Sequence, residues 1–266
     1  MQDMRPEIER MAAELGGTVS VAVRDIRNAF DFSFHEDAKL WSASTIKIAV
    51  LVEAVRQLSE GKVALDTEFV LDDNNRTPGS GVLRFMHGGM KLTFHDVIVL
   101  MIITSDNLAT NILIDFLTPE SITATMRGFG YSGTEVQRRI FDYEAMDRGL
   151  YNWIAAGEIA DLCRRIYTKT AVGGEWDELA LKIMGWNLDK ERLRLLLPEE
   201  ARIANKPGEQ ENTMHDGGLV WNDDFAYSIC VATHGWQSRS DAFMTIARIS
   251  RLVYDAVSET CGCDHA

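Results

Sequence analysis

"SASTIKIAVLVEAVRQL", residues 42–58, decides how the rest of the chain must be arranged. From Thr45 onward its apolar residues fall nearly all round the helical wheel, not along one stripe, which marks a helix enclosed by protein on every side. Lys47 stands at the start of that helix. A lysine in a core costs free energy unless its amine has a partner or a use, so the residue opposite it matters. Ser44 and Lys47 are three apart and share a face at the first turn, whereas Ser42 has only Thr45 at that spacing. A serine there sits at the positive end of the helix, where free N–H groups can hold an oxyanion. Its hydroxyl needs a base to become a nucleophile, and a desolvated lysine favours its neutral form. Alone, the pattern fits equally a helix cap followed by a snorkelling lysine.

Outward from this helix the pattern changes character. An amphipathic helix covers 6–15, and period-two alternation predicts strands at "TVSVAVRDI" (18–26) and "FDFSFHE" (30–36), joined as a hairpin. From Thr45 to about residue 200 the pattern is helical, with runs at "TFHDVIVLMIIT", "LATNILIDFL", "PESITATMRGF", "AAGEIADLCRRIY" and "EWDELALKIMGW". Strands return at "GGLVW" and "AYSICVATHG", and a last helix covers "SDAFMTIARISRLVYDAV". The expected fold is α+β, an antiparallel sheet flanked by terminal helices, with a large all-helical lobe inserted. The chain reads as one catalytic unit, residues 1–44 plus 201–266 forming the sheet lobe and 45–200 the helical lobe.

Composition narrows the function classes. The 266 residues are 46% hydrophobic with five prolines, enough for a sizeable core. A formal net charge of −13 argues against gripping nucleic acid or anionic membrane. The longest apolar run, "VIVLMII" (97–103), is too short to cross a bilayer, and the charged start does not read as a secretory signal. The expectation is a cytoplasmic protein, or an exported one whose leader is absent from the numbered sequence. Cys163 and Cys230 read as small core residues. The tail "CGCDHA", with Cys261 and Cys263, reads as a solvated end, and no metal or other cofactor is expected.

Two further motifs give Lys47 its context: Ser105-Asp106-Asn107 in the break between two apolar helices, and "NKPGEQ" (205–210) just ahead of the returning strands. Each is ordinary alone, the first as a helix cap. In this order, S-x-x-K, S-D-N and K-x-G resemble the motif trio of class A β-lactamases and penicillin-binding proteins. The segments "ELGGTVSVAVRD…WSASTIK", "LMIITSDNLATNILID" and "ANKPGE…HDGGLVW" extend that resemblance over almost the whole chain. It implies that Ser44 is the acylated nucleophile and Lys47 its proton acceptor. Ser105 would relay a proton to the leaving group, and Lys206 would supply positive charge. Asn107 would bind the substrate amide and anchor Lys47. The oxyanion would lie between the N–H groups of Ser44 and Glu209, the residue after Gly208.

Three departures bear on the substrate. Pro207 replaces the family's threonine, removing a hydroxyl that contacts the substrate carboxylate. No arginine or lysine stands between Pro207 and Trp236 to bind that carboxylate; His215 could do so when protonated, or be a structural histidine. The family's E-x-x-x-N water-positioning loop corresponds to "RRIFDYEAMDRGLYNW" (138–153), which lacks that spacing. Glu144 is the candidate deacylating base, with Asp142 and Lys47 as alternatives and a helix-surface role beside Arg148 equally open for Glu144. Asn152 could be the family's asparagine in a remodelled loop. Trp41 and 79–89 are expected to line the rim. The resemblance thus implies a serine acyl-transfer hydrolase taking a small β-lactam, amide or ester. The alternatives are an esterase, amidase or D-alanyl peptidase, or a sensor that binds penicillin and stays acylated.

Overall fold

The structure is a computed structural model that describes residues 3–27, 30–74 and 76–260. Chain order begins with α1 (Arg5–Leu15), β1 (Thr18–Asp25), β2 (Asp31–Phe34) and the short β3 (Leu40–Trp41). A 3-10 turn, Ala43–Ile46, leads into α2 (Lys47–Ser59). Next come β4 (Glu68–Val70), β5 (Lys91–Thr93), α3 (Phe94–Ile103), α4 (Asn107–Leu117), α5 (Pro119–Gly128) and α6 (Tyr143–Asp147). The chain continues with β6 (Trp153–Ile154), α7 (Ala156–Tyr167), α8 (Gly174–Gly185) and α9 (Glu191–Arg194). It returns through β7 (Arg202–Gln210), β8 (Thr213–Trp221), β9 (Ala226–His234) and α10 (Arg239–Thr260).

The fold is α+β, as expected. Five antiparallel strands in the order β2-β1-β9-β8-β7 form the sheet. One face packs with α1 and α10 around Ile8, Val21, Tyr227 and Ile246. The other shares a core with α2, α3, α4, α7 and α8. Among the described residues no helix is long and apolar enough to cross a membrane. The hairpin tip at 28–29 and the tail bearing Cys261 and Cys263 lie outside the described residues.

One boundary differs from the sequence reading. "NKPGEQ" is not ahead of the returning strands but is itself strand, paired from Arg202↔Trp221 to Gln210↔Thr213 without a bulge. Proline in a sheet normally signals a loop, because its ring nitrogen cannot donate to a ladder. β7 is the edge strand, and Asn205 O accepts from Asn187 Nδ2 at 2.8 Å, so residue 205 faces away from β8. Alternation places 207 and 209 on the same side, and Pro207 therefore forfeits an outward-facing N–H.

The central helix is as enclosed as its sequence requires, with Ile48 to Val55 all buried, Glu53 included. That carboxylate accepts from Arg56 Nε (2.7 Å), Gln57 Nε2 (2.7 Å), Ser121 Oγ (2.6 Å) and Thr125 Oγ1 (2.6 Å), tying α2 to α5. Burial alone would raise its pKa, but these donors hold it below the usual carboxylate value. Glu53→Ala leaves Arg56 with Glu60 alone and strands the Ser121 and Thr125 hydroxyls, and we expect it to cost about 3 kcal/mol in urea unfolding. Breaking the exposed Lys91–Glu68 pair by Lys91→Ala should cost under about 1 kcal/mol. Equal effects would show that the Glu53 network contributes nothing beyond surface pairing.

Candidate active site

Ser44 lies in the 3-10 turn, where positions three apart eclipse, so it stands directly over Lys47, whose backbone N–H reaches Ser44 O. Ala43, just before it, holds a φ of 43°, a left-handed conformation that L residues avoid. β7 crosses this turn at the closest approach its backbone allows. A Cβ on Gly208 would sit 2.7 Å from Ser44 N and 2.6 Å from Thr45 N. Only glycine lets the strand lie there. With Pro207 facing outward, the N–H of Glu209 is directed to the same side, toward the cleft.

Lys47 is fully buried among neutral acceptors. Its Nζ lies 2.7 Å from Ser105 O, 3.0 Å from Ser105 Oγ and 2.9 Å from Asn107 Oδ1. Burial lowers its pKa far below the ordinary value, and the nearby Lys206 charge lowers it further against a partial offset from Asp106. Ser105 presents both oxygens because its φ is 54°, a strained conformation in the helix break. Asp106 holds that break. One oxygen caps α4 through Ala109 N (3.0 Å), and the other accepts from Val82 N (2.6 Å) and Leu83 N (2.8 Å). Asn107 Nδ2 donates to Pro78 O at 3.0 Å. The helix-cap role and the Lys47-facing role of Ser-Asp-Asn thus coexist in adjacent residues.

The cleft has two halves that meet at Ser44. One, of about 450 Å³, is bordered by Trp41, Asn107, Ile140, Phe141 and Tyr143. The other, of about 560 Å³, is bordered by Ser105, Lys206, Gly208, Arg192 and Arg239. Lys206 Nζ donates to Pro207 O at 2.7 Å, and burial brings its pKa down to about 7. Sequence reasoning missed the two arginines. Arg192 donates to Glu209 Oε2 at 2.7 Å, and Arg239 binds the same carboxylate from the start of α10. No spacing rule links residue 239 to residue 206; only the docking of the last helix beside β7 does so.

His215 is the structural histidine of the two readings. Thr233 N–H donates to Nδ1 (3.2 Å), so the proton is on Nε2, which donates to Trp41 O (2.7 Å). Burial lowers its pKa to about 4, leaving it neutral near pH 7. The structure does not bring Glu144 to the cleft. It is exposed on α6, whose phase is set by Asp142 capping Ala145 N at 2.9 Å. From this loop Arg138, Ile140, Phe141, Tyr143 and Met146 border the cavity, and none is a carboxylate. Asn152 is spent on the loop's neck: Oδ1 accepts from Gln137 N (2.8 Å) and Arg138 N (3.1 Å), and Nδ2 donates to Arg138 O (3.0 Å). Asn152 O also accepts from Ser42 N at 3.0 Å, and Tyr151 N donates to Gln137 Oε1 at 2.9 Å.

The buried Lys206 makes a stability prediction with a definite sign. Its folded pKa of about 7 lies below the ordinary 10.5, so in that window the unfolded chain binds more protons. The lysine's cost is full below pH about 7 and fades as pH rises to about 10.5, by at most about 1.4 kcal/mol per pH unit. Lys206→Met should therefore raise Tm most at pH 7 and progressively less toward pH 10. A gain that is constant across thermal melts over this range would refute the burial argument.

A family model described as "Beta-lactamase enzyme family" matches residues 3–257. Stenotrophomonas maltophilia β-lactamase L2 is 25% identical over 214 residues, 77% of this chain and 69% of that protein. A β-lactamase of Rhodobacter capsulatus is 26% identical over 132 residues, 49% of this chain and 45% of that protein, so this match spans less than half of that relative. Among solved structures, a β-lactamase from Sphaerobacter thermophilus superposes with a TM-score of 0.89 at 24% identity, covering 100% of both chains. PBP-A does so at 0.89 and 22%, covering 97% of both. These likenesses carry the fold, and the family match over nearly the whole length shows that the chain belongs to the β-lactamase enzyme family.

Proposed function

We propose that this chain is a serine acyl-transfer hydrolase that works through an acyl-enzyme on Ser44. The observation that carries the proposal is the fully buried Lys47 amine, one turn from Ser44 and held by neutral acceptors alone. As a neutral amine it donates to Ser105 O and Asn107 Oδ1 and keeps a lone pair for a hydroxyl proton. Lys47 takes the proton of Ser44 Oγ as that oxygen bonds to the substrate carbonyl carbon. The resulting oxyanion lies between the N–H groups of Ser44 and Glu209. Ser105 passes a proton from Lys47 to the leaving nitrogen or oxygen as its bond to carbon breaks. Lys206 supplies positive charge at that end, and water then attacks the acyl-enzyme.

The slow step belongs to that water. With Glu144 exposed and Asp142 used as a cap, we assign deacylation to Lys47, which serves the small esters well and a bulky penicilloyl ester poorly. A mutant of PBP-A is described as an acyl-enzyme complex with penicillin G; that describes PBP-A, and it supports seeking the same adduct here. Intact-mass spectrometry with penicillin G should show one adduct in the native protein and none in Ser44→Ala, while Lys47→Ala acylates orders of magnitude more slowly. Persistent labelling of Ser44→Ala would end this reading. Stopped-flow penicillin hydrolysis should show a burst and then a low steady rate, with 4-nitrophenyl acetate turning over faster. Glu144→Gln should leave both phases within about twofold. A lost steady phase would restore Glu144 as the base, and rapid burst-free hydrolysis would make this an ordinary β-lactamase.

A further inference from the structure

Arg138 stands in the wall of the cleft half that begins at Ser44 and runs along Ile140 and Tyr143. Its guanidinium is half-buried and poorly provided for. Nη1 donates to Arg139 O at 2.8 Å, and Nε is buried with no acceptor. Among the described residues no carboxylate forms an ion pair with it, although acidic residues outnumber basic ones 40 to 27 in the chain. Burial lowers its pKa, with only partial offsets from Asp142, Tyr151 and Tyr143. Asp142, the first of these, uses Oδ1 to cap α6 and forms no ion pair with the guanidinium. Every other arginine at the cleft is paired: Arg192 with Asp189 and Glu209, and Arg239 with Glu209. A desolvated cation with unfilled donors is costly, and the cost is offset when a ligand brings the anion.

The two halves of the cleft differ in kind. Ser105 and Lys206, which serve the leaving group in the reading above, border the half opposite Arg138. The acyl group must then occupy the Arg138 half. On the Arg138 side its walls are apolar or aromatic: Ile140, Phe141, Tyr143 and Met146, with Trp41 and Tyr151 stacked at 5.7 Å. Glu209, Gln210 and Glu211 border it from the β7 side, and Glu209 is already paired with Arg192 and Arg239. We propose that Arg138 is the specificity residue of the acyl half, and that the preferred acyl donor bears a carboxylate on an aromatic or apolar acyl group. This rests on the acyl-transfer reading of Ser44 and goes beyond it by naming the substrate class. The planar guanidinium pairs with a carboxylate through two donors, while the aromatic walls take the body of the group.

Two penicillins on one nucleus test it, one with a phenylacetyl and one with a phenylmalonyl side chain, which differ by a single carboxylate. The second-order rate of Ser44 acylation is followed by intact mass in the native protein, Arg138→Gln and Arg138→Lys. The native protein should favour the phenylmalonyl compound by about 10- to 100-fold, the span of a charge-assisted hydrogen bond. Arg138→Gln should bring the ratio to about 1, and Arg138→Lys should keep part of it. A native ratio near 1 overturns the proposal. So does a ratio that survives in Arg138→Gln while both rates fall together, which would make Arg138 a brace for its loop. Labelling by the phenylacetyl compound separately reports the acyl-transfer reading: if neither compound labels Ser44, both readings fall; if both label it equally, only the Arg138 assignment does.

Discussion

A single desolvated amine organises this molecule. Lys47 enters the core at the first turn of α2, its amine held by three neutral oxygens of Ser105 and Asn107, with two strained segments nearby. A charged ammonium in that place is costly to keep, so the surroundings favour the neutral amine. The apolar surface of α2 supplies the burial, the break between α3 and α4 supplies the acceptors, and β7 closes the third side through Gly208. Three stretches far apart in sequence meet because the amine requires all of them.

The strain is placed where packing can hold it. Ala43 and Ser105 occupy left-handed backbone conformations that each cost on the order of 1–3 kcal/mol. Each is flanked by fully buried structure: Ile46 and Ile48 after the first, Met101, Ile102 and Leu108 around the second. Asp106 accepts from three backbone N–H groups in two segments. The polar atoms at the amine are thereby presented by backbone that cannot relax without breaking the core.

Much of this was legible in the sequence, and the failures have physical causes. The all-round apolarity of 45–58 announced a central helix, period-two alternation marked β1 and β2, and the runs "GGLVW" and "AYSICVATHG" marked part of β8 and β9. The i,i+3 relation of Ser44 and Lys47 survived the change from α-helix to 3-10 turn because eclipsing brings the same pair together. β7 was illegible because a proline on an outward edge position breaks no hydrogen bond, which no local pattern records. The two readings of Glu144, base or helix surface, stayed open because a five-residue helix has no periodic stripe from which to read its inward face. Arg192 and Arg239 were invisible for a different reason: their common partner, Glu209, joins residues 17 and 30 positions away.

The neck of the loop at 138–150 has a consequence for how the protein can change. Gln137, Tyr151 and Asn152 knot its two ends together with side-chain bonds, and Asn152 O also holds Ser42 beside the Ser44 turn. The ends are therefore fixed whatever lies between them. For a loop so closed, doubling its length adds only about 0.6 kcal/mol of closure entropy. Beyond Ile140, which Asn111 ties to α4 at 2.7 and 3.0 Å, insertions, deletions and replacements can accumulate with little effect on the position of Ser44. The fold thus carries an exchangeable wall on an immobile frame, and new substrate preferences can arise in it by drift before any of the residues around Lys47 need to move.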